Sequence, residues 1–274
     1  MKKDIFIGDL LEEVGKLSEV KSFNLRFPEY KIKKIEGMKF VVGEGKPENL
    51  LVNEKEIFDS PDLLFSLLRL SPGDSPINSP SEIHIPDKEI LKWVKKYGIP
   101  YQDKELNFKL NDELIRDDVL HIDGFKRKLF WLHGLFHLWK ALIEEEEEGI
   151  KKFQYSLQFF VQLENFINPE IDSEKLLKSA IATKISESFS DISLRLIYNK
   201  ETNKYEFTLT ASSLFDIAYF QLAALMTKSR SENKKKMKKC ALCGSVFWAH
   251  HGHQKYCSMC PRQTAWSRKQ KQKG

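Results

Sequence analysis

The first 239 residues of this 274-residue chain contain no cysteine. That excludes a disulfide framework and a thiol nucleophile from most of the protein. Long apolar runs are also missing: none approaches the ~20 residues that would span a bilayer. The opening stretch, MKKDIFIGDLLEEVGK, has charges through its only apolar run. No secretory signal is read there, so a cytoplasmic, reducing setting is expected, with no membrane partner. No repeat of fixed period is present. Residues 43–47, GEGKP, lack the spacing and the GK[ST] ending of a phosphate loop, and no serine, threonine or cysteine sits in a recognisable nucleophile turn. The last scarcity is of negative charge. Residues 228–273 hold thirteen Lys and Arg but one acid, Glu232.

What is present is concentrated at the same end. Cys240, Cys243, Cys257 and Cys260 form two C-x2-C pairs separated by thirteen residues. Each pair makes a tight knuckle with its two sulfurs turned to one point. Two facing knuckles supply the four thiolates that close the shell of one structural Zn²⁺. His250, His251 and His253 lie between the knuckles and read as a polar loop that reaches solvent or phosphate. The 228–273 stretch carries a net +12 in a chain of +5 overall, leaving −7 on residues 1–227. An acidic body with a basic, metal-bearing tail is the electrostatic footprint of a polyanion binder. Lys238, Lys239, His253, Lys255, Arg262, Arg268 and Lys269 are the candidate contacts. Pro261 suits the first turn of a short basic helix over 262–273. Its Trp266 could stack on a base, although packing against the zinc knuckle is the simpler role for it.

The pattern C-x2-C-G-x2-F followed by QKYCSMC-PR resembles the C-terminal zinc finger of bacterial CGNR-type proteins. The matching residues are Cys240, Cys243, Gly244, Phe247, Tyr256, Cys257, Ser258, Met259, Cys260 and Arg262. No C-G-N-R tetrapeptide follows them. The likeness is specific over about 35 residues. It implies a helical N-terminal domain, a treble-clef-like finger and a DNA-binding, transcription-regulating role.

With 41% hydrophobic and 30% charged residues, the body reads as an ordinary globular unit. The expected fold is α+β: a mostly helical body over 1–232 with a small N-terminal sheet and a β-hairpin, then a treble-clef or ribbon-like finger over 233–274. Residues 4–20 read as a short helix and 23–43 as a small antiparallel sheet. Asp59 and Ser60 mark a helix start before LLFSLLRL. The stretch 71–86 has four prolines and reads as a loop or hinge. Helices are expected over 87–97, over 125–147 with Asp123 as its cap, over 151–167, over 176–186 and over 214–226 opened by Ser212 or Ser213. A hairpin is expected around a turn at 199–203. The run 144–148 reads as a solvated helix end, and lysine-rich 233–239 as a link to the finger.

Two other constellations concern chemistry. His133 and His137 stand one helical turn apart, a metal pair without further ligands, and read as a buried, hydrogen-bonded pair. Arg116 and His121 match the R-x4-H spacing of HEPN ribonucleases. In that family the Arg stabilises charge and the His moves a proton at the scissile phosphate. The leading expectation is nevertheless a binder rather than an enzyme: a zinc-dependent nucleic-acid-binding protein, with DNA ahead of RNA. The alternatives are an adaptor that uses the finger to hold a protein partner, and a HEPN-like ribonuclease.

Overall fold

The structure is a computed structural model that describes residues 19–22, 25–46, 48–49, 61–71, 80, 83–101, 119–144, 173–188, 192–199, 204–228, 230–257 and 260. These residues form an α+β fold with six helices and small sheets, mainly antiparallel. The predicted features at 4–18, 145–148, 151–167, 200–203 and 261–274, and most of the 71–86 hinge, lie outside the described residues.

In the N-terminal part, β1 (Glu19–Ser22), β2 (Leu25–Arg26), β3 (Glu29–Ile35), β4 (Met38–Glu44) and β5 (Glu48–Asn49) follow one another. β3 and β4 pair antiparallel across a two-residue turn, in which Glu36 and Gly37 both have positive φ, 49° and 86°. Such a turn matches the right-handed twist of the strands it joins. At Gly43 a methyl group would come within 2.3 Å of the Phe27 ring, so only glycine lets that ring lie over the strand. β6 (Val119–His121) adds to the far edge of β4, giving the order β3-β4-β6. That strand was not expected from the sequence.

The helical core is built on α1 (Asp62–Leu68), α2 (Asp87–Tyr97), α3 (Ile122–Glu144), α4 (Ser173–Ser188) and α5 (Leu214–Thr227). α1 is apolar nearly all round, and every residue after Asp62 is buried, as expected of a helix with neighbours on all sides. α2 coincides with its predicted span: Pro86 precedes it, and Gly98 ends it at φ 82°. Along α3 the predicted core residues Leu129, Leu132, Phe136 and Trp139 are all buried. Each such side chain stabilises the fold by about 1.5–3 kcal/mol.

Five expectations need correction. Residues 19–20 belong to β1, which runs parallel to β8 (Lys204–Ala211), rather than to a helix over 4–20. α1 has Pro61 at its N-cap and no side-chain cap from Asp59 or Ser60. α3 starts at Ile122, which places Asp123 in its first turn, where a carboxylate favours the helix dipole. α4 is longer than 176–186 at both ends. Residues 233–239 are not a loose link, since α6 (Arg230–Lys236) runs directly into β9 (Met237–Lys239). The expected hairpin is present as β7 (Ser193–Asn199) and β8.

Candidate metal centre and basic face

β9 and β10 (Val246–Trp248) form a short antiparallel hairpin, and the first cysteine pair occupies its turn. Within that turn the Cys240 amide donates to Ser245 O at 2.9 Å and the Gly244 amide to Cys240 O at 2.8 Å. Gly244 holds φ +73°, a left-handed conformation in which a side chain would be strained. In the second knuckle the Cys260 amide donates to Cys257 O at 3.2 Å, and the Ala241 amide ties the knuckles together through Lys255 O at 2.9 Å.

The four Sγ atoms lie within 4.8 Å of one another. Cys240 and Cys260 are 3.8 Å apart, as are Cys243 and Cys257. A disulfide needs about 2.05 Å, and all four cysteines are free. A tetrahedron with metal–sulfur bonds of about 2.3 Å has edges of about 3.8 Å. The donor set therefore fits a closed tetrahedral site, and the cluster can hold a metal ion.

Electrostatics separate the sulfurs. Burial opposes ionisation of Cys240, but the amides of Cys257, Cys243 and Leu242 aimed at its sulfur outweigh that and hold it down at about 6. Burial pushes the Cys257 and Cys260 thiols up. At Cys257 the Arg69 guanidinium offsets only part of the rise. Arg69 was not found from the sequence. It extends from the end of α1, with one terminal nitrogen 3.5 Å from Cys257 Sγ and the other 3.9 Å from Cys260 Sγ. No motif marks it, because 188 residues separate it from Cys257.

The hairpin is docked on the body. Trp248 is 3% exposed and belongs to the main hydrophobic core, while Cys240, Phe247, Ala249, Cys257 and Cys260 make a small core of their own. Lys228 and Lys236 stand over the Trp248 ring, 4.9 and 5.4 Å from its centroid, and both lie 3.8 Å from Glu232. His250 approaches Asp62 at 3.8 Å. The predicted boundary at 232/233 falls inside α6.

Among the predicted polyanion contacts, Lys239, His253 and Lys255 are exposed. Lys238 is half-buried and donates to the Gly252 carbonyl. Arg262, Trp266, Arg268 and Lys269 lie outside the described residues, as does Arg116. His121 closes β6, where it is buried and lies 5.1 Å, centroid to centroid, from the Phe40 ring. His133 and His137 are buried and stacked, with centroids 5.7 Å apart. The hydrogen bonds expected of that pair are not made at His133, where neither ring nitrogen has a partner in the protein. Burial, then the neighbouring His137, holds the His133 imidazole down to about 3, so it is neutral.

No protein-family model matches the chain, and no curated protein and no solved structure matches it either. Among the described residues no helix is long and apolar enough to cross a membrane.

Proposed function

We propose that this protein is a zinc-dependent nucleic-acid-binding protein of the DNA-binding, transcription-regulating class, with a C-terminal treble-clef-like finger. One observation carries the reading: a closed four-sulfur cluster sits within a segment of net charge +12, with Lys239, His253 and Lys255 turned to solvent around it. Four sulfurs leave no open coordination position, so the ion orders the chain and performs no chemistry. Lysine and arginine neutralise phosphates and release counterions, which makes affinity fall steeply with salt.

The test is a titration of the full chain with duplex DNA and with single-stranded RNA from low to high salt. Affinity should drop linearly on a log–log scale and be lost on deletion of 233–274. A flat salt profile, or binding that survives the deletion, overturns the reading.

The buried Trp248 and the Arg69–sulfur contacts favour a second reading. In it the finger is an interaction module that closes against the acidic body, and nucleic acid is incidental. DNA affinity that persists in Lys239→Glu/Lys255→Glu, with the metal retained, would select this reading over the first.

A further inference from the structure

A cavity of about 300 Å³ lies where α1, α3 and the finger meet. Arg69 and Ser71 wall it at the end of α1, His133, Phe136 and His137 on α3, and residues 243–246 on the finger side. Its volume is at the lower end of small-molecule sites, which run from about 300 to 1,000 Å³. His133 distinguishes it from a packing void. The ring lines the cavity and is 3% exposed, yet both of its nitrogens lack a protein partner. Buried polar groups in native proteins nearly always have a partner, from the protein, from water or from a ligand.

The chemistry of the walls narrows what fits. A neutral imidazole offers one N–H and one bare nitrogen. The backbone carbonyls of Leu67 and Leu68 stand beside the His133 ring and draw the N–H toward them. The bare nitrogen then calls for a donor. Arg69 in the wall disfavours a cation, and the ionised sulfur of Cys243 disfavours an anion. Ser71 and Ser245 carry hydroxyls able to donate to a carbonyl. Phe136 and Val246 supply apolar wall.

We propose that this cavity binds a small, uncharged, planar molecule with an N–H donor beside a carbonyl, the chemistry shared by free nucleobases and aromatic amides. The N–H meets the bare nitrogen of His133, a serine hydroxyl meets the carbonyl, and the ring packs on Phe136. Such a ligand touches body and finger at once. The site stands whether or not the finger grips nucleic acid.

The experiment uses the full chain with zinc supplied. It is titrated with uracil, hypoxanthine and nicotinamide, and with benzoate and benzamidinium as charged counterparts. Calorimetry gives affinity, and the imidazole NMR signals report on His133. Saturable binding of at least one uncharged probe is expected, with a shift of the His133 ring signals. Affinity should fall at least about tenfold in His133→Phe, which removes both ring nitrogens. Ser245→Leu fills the cavity from the finger side, leaves His133 in place and should weaken binding as much. It decides the matter if His133→Phe does not fold. Binding of uracil or hypoxanthine without nicotinamide assigns a nucleobase, and the reverse assigns an amide. The proposal is overturned if no uncharged probe binds at millimolar concentration, if a charged counterpart binds as tightly, or if the variants bind like the parent chain.

Discussion

At the scale of single residues, Arg69 ties the body to the cysteine cluster. Four thiolates around a divalent ion leave two negative charges in a half-buried place, and a guanidinium reaching Cys257 and Cys260 compensates one of them. It also fixes the position of two sulfurs before metal arrives. Groups that orient metal ligands in this way typically contribute tenfold to a hundredfold to affinity. In Arg69→Met the apolar stem is kept and the charge removed. Zinc affinity, measured by competition with a chromophoric chelator, should weaken by about tenfold or more. Unchanged affinity would reduce Arg69 to a packing residue. The cysteines were legible because their spacing is local: each knuckle closes within four residues. Arg69 was not, because only folding brings it to them.

At the scale of elements, local signals predicted α5 and α2 closely. Ser213 caps α5: its hydroxyl accepts from the Asp216 amide at 3.1 Å, and the Asp216 carboxylate accepts from the Ser213 amide at 2.9 Å. Both partners of that box lie within four residues, so the helix start could be read directly. Ser213→Ala should cost about 1 kcal/mol, seen in denaturant melts as a lower midpoint at unchanged slope. A null effect would mean that tertiary contacts alone hold the start of the helix. β1 and β6 were missed for the opposite reason. β1 pairs with β8, almost 190 residues later, and β6 pairs with β4 across the intervening α1 and α2. Short strands of this kind have too little periodicity of their own to be seen. The turn into β9 shows the same limit: a run of lysines reads as a solvated link, yet Met237 and Val246 are packed against the core and pull the strand in.

At the scale of the whole molecule, the finger belongs to the body's architecture through one face and stands outside it through the other. Trp248 joins the main core, whereas Lys239, His253 and Lys255 face solvent. Because metal binding and ordering of the knuckles are one equilibrium, the hairpin should be the part that loosens first without metal. Chelation should therefore strip hydrogen-exchange protection from the amides of Cys240, Ala241 and Gly244, while those in the middle of α3 keep theirs. Protection that survives chelation in the hairpin would show that docking alone holds it. Loss throughout α3 would show that the ion supports the entire fold.

The chain's own order of residues determined the metal set, the distribution of charge and most helices, because each depends on neighbours a few positions apart. Only the tertiary structure decided that the finger is seated on α1, that Arg69 faces two of the sulfurs, and that His133 ends in a cavity without a partner. Those facts depend on contacts across scores of residues, and hydrophobic burial, which has no direction along the sequence, sets them.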